Sequence, residues 1–325
     1  MRRRGALSIL GGGLTAAALA RPDEARGQGA TPRYPRPLRH AHAHNDFAHP
    51  GPLHDALAHR FTSVEADVHL VDGQLLVAHD PVDLDPSRTL DSLYLAPLAA
   101  RVRAHHGTVY RGSRLSLQLL VDLKTEGGSA YHALDRRLRA YPGLLSSYRA
   151  GRVRRGPVTV LVSGDRAARG PMAAQRVRYA FHDGRLTDLG SAVRPSLVPL
   201  ISDNWGRHFT WRGAGPVPPT ERETLRRITA EARSRGLRVR FWATPDTPGP
   251  ERKAVWDELL AAGVDHLNTD DLAGLAAYLD ARHRRGRSGQ GRSSAYTIRL
   301  STGWPSASNS PSQVMSRRTR SDVAP

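Results

Sequence analysis

Glu65 and Asp67 stand two residues apart in an apolar run at 63–70. A strand repeats every two residues, so both carboxylates fall on one face. Like charges so close raise each other's pKa unless a cation lies between them. A divalent ion resolves that conflict, and hard oxygen ligands favour Mg2+ or Ca2+. Asp122 closes another apolar run, 115–123, where it can supply a third carboxylate. Lys124 shares the face of Asp122, a point charge suited to a phosphate oxygen.

Histidines gather around the same segments. Eight of the fifteen lie between residues 40 and 79. His40, His42 and His44 alternate, so they share one strand face, and His79 closes a hairpin beside the acidic pair. Two imidazoles flanking a metal site suit acid–base work on a leaving oxygen near neutral pH.

These groups need elements to position them. Short β-branched or Leu-rich runs recur between residues 38 and 281, at 38–43, 63–70, 115–123, 158–163, 177–181, 197–201, 239–243 and 266–268. Helix-like stretches separate them, at 52–59, 131–140, 221–235 and 251–262, and Gly236 and Gly263 stop the last two. A further run at 74–78 follows the Asp72-Gly73 turn and reads as the hairpin partner of the second strand. Eight strands alternating with helices over roughly 245 residues predict a single (β/α)8 TIM barrel, within the α/β class. A doubly wound sheet often shows a Gly-rich phosphate loop after its first strand, and none stands here. Barrel logic puts chemistry at the C-terminal strand ends. Those ends carry His42 to Asp46, Glu65-x-Asp67, His79-Asp80, Asp122-x-Lys124, His182-Asp183, Ser202-Asp203-Asn204, Trp242 and Asn268-Thr269-Asp270.

Charge invites a different reading. Lys and Arg number 48 against 30 Asp and Glu, a net +18. Residues 1–40 carry 8 Arg and 2 acids, and 281–325 carry 9 Arg and 1 acid, so the ends hold +14 and the middle only +4. The excess therefore gives no case for a specific nucleic-acid partner, and it leaves room for transient contact with an anionic membrane surface. Residues 1–20 read as an export signal: three arginines, a short apolar stretch and an Ala-x-Ala site. The Arg pair before the apolar run also fits a twin-arginine signal, and secretion or the cell envelope is the expected location. Residues 21–37 read as a linker and 282–325 as a disordered basic tail. With no cysteine, thiolate metal sites, disulfides and a cysteine nucleophile are excluded.

Four stretches carry a family resemblance: HAHNDF from His42, SVEADVHLVDGQLLVAHD from Ser63, RTLDSLYLAPL from Arg88 and VDLKTEG from Val121. They resemble the altered inheritance of mitochondria protein 6 family, within the phospholipase C-like phosphodiesterase superfamily. Weaker matches, FWATP around Trp242 and GVDHLNTDD at 263–271, extend the resemblance to the last strand. The resemblance implies a barrel with one divalent metal held by Glu65, Asp67 and Asp122. It implies His79 as one catalytic histidine and Lys124 as the active-site lysine. The other histidine is His42 if Asn45 sets the alignment, and His44 if the H-R-G motif of the glycerophosphodiester enzymes does; His42 is preferred. Asn45 and Trp242 are expected to contact substrate. The sequence also departs from the pattern. Asn45-Asp46 replaces the Arg-Gly of H-R-G, the third ligand is Asp rather than Glu, and the segment 80–115 is too short for the usual inserted domain.

The expected activity is a secreted metal-dependent phosphodiesterase acting on a glycerophosphodiester or (lyso)phospholipid. Two other readings compete. A metal-dependent amidohydrolase barrel also opens with alternating histidines and ends on an Asp, here Asp270, but it wants histidines ending the fifth and sixth strands and finds only His182. A non-catalytic envelope or polyanion-binding protein would use the Arg-rich ends.

Overall fold

The computed structural model describes residues 34–289. The signal at 1–20, most of the linker and the tail beyond 289 lie outside the described residues.

Eight parallel strands form the centre: β1 (Leu38–Ala43), β2 (Phe61–Val71), β4 (Leu117–Leu123), β7 (Val158–Gly164), β9 (Ala180–Gly184), β10 (Leu200–Asn204), β11 (Arg238–Trp242) and β12 (Leu267–Thr269). They pair in the order β11-β10-β9-β7-β4-β2-β1-β12. A parallel bridge from Arg240 to His266 brings β11 against the other edge, so the sheet curls almost to closure. This is the predicted barrel. β3 (Gln74–Val77) pairs antiparallel with β2 through Val71 and Gln74. Asp72 and Gly73 both adopt positive φ, 48° and 78°, as a two-residue hairpin of this twist requires.

Helices α1 (His54–Ala58), α2 (Ala96–Ala104), α3 (Gly127–Leu138), α4 (Arg169–Ala174), α5 (Trp205–His208), α6 (Pro219–Ser234), α7 (Pro250–Ala262) and α8 (Leu272–Gly289) lie among the connections. Two apolar assemblies result. The larger includes Val64, Leu119, Val160 and Val239 from the strands, with Leu98, Leu134, Leu225 and Leu259 from helices. The smaller is Leu120, Leu161, Phe181 and Leu200, one residue from each of four neighbouring strands. The alternation of strand side chains puts these four on the opposite face, inside the barrel.

Some boundaries differ from expectation. The run 177–181 splits, because β8 (Val177–Arg178) leaves the barrel to pair with β5 (Ser147–Arg149) in an outer sheet completed by β6 (Arg152–Arg154). The run 197–201 starts late, at Leu200, because Pro199 has no N–H for the ladder. Helix α8 passes the expected boundary at 281 and continues through 282–289. Its apolar stripe ends near Leu279, which is packed in the core, but arginine is a good helix former and does not stop a helix. Among the described residues no helix is long and apolar enough to cross a membrane.

Candidate active site

β2 lies between β1 and β4, with Asp67 opposite Asp122 and His42 opposite Ser63. That register gathers the acids at the C-terminal end of the barrel. Glu65, Asp67 and Asp122 each turn an oxygen to a common point, and the three oxygens lie within 4.8 Å of one another. Gly164, paired with Leu123, makes this close packing possible. Its φ is +77°, and an added Cβ would sit 2.2 Å from the Leu123 carbonyl oxygen and 2.7 Å from Asp122 Oδ1.

The three carboxylates are not equivalent. Burial opposes the charge on Glu65, but Arg240 and His42 outweigh it and hold the carboxyl well below its usual range. Arg240 Nη1 donates to Glu65 Oε2 at 2.6 Å, and both groups are buried. Asp67 fares differently. Burial and then the Glu65 charge push its carboxyl up to about 7, although Lys124 pulls the other way. Lys124 Nζ donates to Asp122 Oδ2 at 2.6 Å and stands 3.0 Å from Asp67 Oδ2. Asp67 Oδ1 is buried and has no hydrogen-bond partner. A buried carboxylate oxygen without a donor, facing two more acids, fits a hard divalent cation. Glu126 of the VDLKTEG stretch stays apart from this cluster. It caps α3, accepting from the N–H groups of Gly128 and Ser129 at 2.7 Å.

The alternating histidines of β1 face the interior at different depths. His42 is fully buried. Its Nδ1 lies 2.6 Å from Ser63 Oγ, which accepts from Gln118 Nε2 at 2.8 Å. Its Nε2 lies 2.9 Å from Glu65 Oε2 and also meets Arg240 Nη1. Burial and Arg240 lower the His42 pKa to about 4. His44 is nearer the mouth, 29% exposed, with Nδ1 3.0 Å from Asp270 Oδ1. Burial lowers its pKa, but the bond to Asp270 and the Glu65 field prevail and raise it. Asn45 Nδ2 donates to the other Asp270 oxygen at 3.4 Å, from a backbone at φ 46°.

The loop that carries His44 and Asn45 is anchored from below. Asp46 is buried, and its Oδ2 accepts from Leu53 N at 2.6 Å and from the Tyr94 hydroxyl at 2.9 Å. Arg88 donates to the Phe47 carbonyl at 2.6 Å. Tyr94 and Arg88 both come from the RTLDSLYLAPL stretch, Tyr94 from a π-helical turn at Asp91–Leu95.

His79 reaches the rim from the β3 hairpin. Ala78 N donates to the Asp67 carbonyl at 3.2 Å, which sets His79 beside the acidic strand. Its side chain is 60% exposed, with Nδ1 3.1 Å from Asp80 Oδ1. Trp242 ends β11 opposite Asn204 and is half-buried.

Arg240, Ser63 and Gln118 join the site only through the fold. Arg240 was detectable, because Arg238, Arg240 and Trp242 alternate on one strand just as Glu65 and Asp67 do. His182, which the amidohydrolase reading needs, alternates with the interior residues Phe181 and Asp183. It feels Arg166 and Arg169 of the outer layer, so it is turned away from the acids.

Residues 36–183 match the model of an AIM6-like phosphodiesterase domain, and 238–273 match the glycerophosphoryl diester phosphodiesterase family. Altered inheritance of mitochondria protein 6 of Eremothecium gossypii is 30% identical over 279 residues, covering 74% of this chain and 69% of that protein. The homolog from Arthroderma benhamiae is 29% identical over 268 residues, covering 73% and 82%. Two solved structures are also similar. Phosphatidylinositol-specific phospholipase C from Listeria monocytogenes has a TM-score of 0.44 at 8% identity, over 75% of this chain and 92% of that one. A glycerophosphoryl diester phosphodiesterase from Parabacteroides distasonis has 0.45 at 12%, over 76% and 87%.

Proposed function

The chain belongs to the altered inheritance of mitochondria protein 6 family, and from that premise we propose that it is a metal-dependent phosphodiesterase acting on glycerophosphodiesters or (lyso)phospholipids. One observation carries the proposal: three carboxylate oxygens within 4.8 Å of one another, with Lys124 bonded to two of the acids and His44 and His79 at the rim.

Glu65, Asp67 and Asp122 would hold the ion, Mg2+ or Ca2+. A bound divalent ion supplies charge to a non-bridging phosphate oxygen and acidifies an attacking hydroxyl or water. Lys124 offsets the negative charge that grows on the phosphoryl oxygens. We assign the base to His44 rather than His42. His44 is partly open, and Asp270 holds its Nδ1 and favours its charged form, so Nε2 is free to take a proton. His42 has no exposed surface, and both ring nitrogens are engaged. It positions Glu65 instead. His79, also at the rim, protonates the leaving alkoxide. Asn45, held by Asp270, and Trp242 contact the substrate. A substrate with a hydroxyl next to the phosphate would close to a cyclic phosphate, and one without it would yield a phosphomonoester by attack of water.

The test is a panel of glycerophosphodiesters and lysophospholipids assayed with Mg2+ or Ca2+, with products resolved by phosphorus NMR. Turnover that survives both EDTA and Asp67→Ala would overturn the metal-dependent reading. Stoichiometric zinc with inert phosphodiesters would favour the amidohydrolase. We propose export as well, on the Arg-led apolar segment at 1–20. N-terminal sequencing of the protein from a bacterial host's medium or envelope checks it, and a chain still beginning at Met1 in the cytosol would count against it.

A further inference from the structure

The opposite end of the barrel carries a second polar site. At the N-terminal strand ends lies a cavity of about 240 Å³. Four arginines line it: Arg39 from β1, Arg114 before β4, Arg155 before β7 and Arg238 from β11. One carboxylate, Asp265, shares the wall, and it already accepts from Val239 N at 2.9 Å. Among the described residues, the guanidinium groups of Arg39, Arg114 and Arg155 have no ion-pair partner.

These cations crowd one another. Burial and Arg39 lower the pKa of Arg155. Burial lowers that of Arg238, with Arg155 adding to the effect against the pull of Asp265. The rest of the wall offers donors. Ser146 and Ser116 hydroxyls meet Thr159 Oγ1 at 2.8 and 2.9 Å. His266 is buried, and its Nε2 accepts from Arg238 Nη1 at 2.9 Å. The proton must then sit on Nδ1, which is buried without an acceptor.

We propose that this cavity is a binding site for a small phosphate-bearing anion, held by Arg39, Arg114, Arg155 and Arg238. Several guanidinium forks lining one cavity match the tetrahedral oxygens of a phosphate better than a neutral ligand. The volume lies below the range of sites for drug-sized molecules, about 300–1,000 Å³, so it suits a phosphate group on a small carrier or free phosphate. The site is separate from the carboxylate site. It lies at the N-terminal strand ends, whereas Glu65, Asp67 and Asp122 converge at the C-terminal ends.

The experiment is calorimetric titration of the full chain, in EDTA and phosphate-free buffer, with inorganic phosphate and separately with glycerol 3-phosphate. The unsubstituted protein should bind at least one of them, and the preference between the two identifies free phosphate or a monoester. Arg114→Gln with Arg155→Gln, both at exposed positions, should weaken that binding more than tenfold. Lys124→Met should leave it unchanged. Circular dichroism of the double variant checks that it is folded. Absence of binding to either probe overturns the proposal, as does affinity retained within threefold in the folded double variant. Loss in Lys124→Met would place the anion at the carboxylate site and overturn it too.

Discussion

Asp67 is where the electrostatics of the acidic site are least settled. Burial and the charge on Glu65 push its carboxyl up to about 7, far from the ordinary aspartate value. A metal ligand must be deprotonated, so binding a divalent ion at pH 7 should release roughly half a proton from this one group. Calorimetry of Mg2+ binding in buffers of different ionisation enthalpy measures it. The release should vanish above about pH 8.5, where Asp67 is already ionised, and in Asp67→Asn. The two rim histidines differ in a testable way as well. If His79 protonates the leaving alkoxide, His79→Ala should cost about 10²–10⁴-fold on an alkyl diester and far less on a p-nitrophenyl diester, whose leaving group needs no proton. His44→Ala should lose activity on both. Equal recovery of the two variants on the p-nitrophenyl diester would refute the assignment.

At the scale of elements, the loop after β1 depends on a turn nearly fifty residues away. Tyr94 and Leu53 N hold Asp46, and this in turn holds the backbone of His44 and Asn45. Tyr94→Phe removes one donor to a buried carboxylate and should cost about 1–3 kcal/mol in urea unfolding. It should also lower kcat, because His44 loses its aim, and change KM little. Burial raises the Asp46 pKa from 3.8 to about 6, although its hydrogen bonds pull it down. A raised folded-state pKa favours folding while the group is protonated. The contribution is therefore complete below about pH 4 and is lost as the pH rises through about 6. Asp46→Asn cannot titrate, so the stability difference from the parent should shift in the variant's favour between about pH 4 and 6. A pH-independent difference in unfolding free energy would refute that account.

For the molecule as a whole, the polar groups divide along the barrel axis: acids and rim histidines at the C-terminal strand ends, a cluster of arginines at the other. Between them Leu120, Leu161, Phe181 and Leu200 fill part of the interior, and Gln118, Ser63, His42, Glu65 and Arg240 form a polar wall. Residues 290–325 carry 5 Arg and 1 acid. Removing residues 290–325 should leave turnover of a soluble diester within twofold, and should weaken salt-sensitive adsorption to anionic vesicles. Loss of adsorption in a protein that hydrolyses nothing would favour the polyanion-binding reading. Lost turnover would show that the segment supports the site.

Much of this was legible in the residues alone. Period-two alternation placed Glu65 with Asp67 and His42 with His44, and the strand–helix rhythm specified the barrel. Both are local rules that a chain obeys wherever its partners lie. The choice between His42 and His44 was not local. It turns on Arg240 and Ser63 of other strands and on Asp270 just after β12, which decide which imidazole is sealed in and which is held at the mouth. The role of Tyr94 was hidden for the same reason, since a hydroxyl 48 positions from its carboxylate leaves no mark in spacing. The arginine cavity is the clearest case. Arg39, Arg114, Arg155 and Arg238 are scattered among 48 basic residues, and only barrel closure brings their strand ends together. Charge adds up along a chain, but its field depends on distance, and distance is a tertiary quantity.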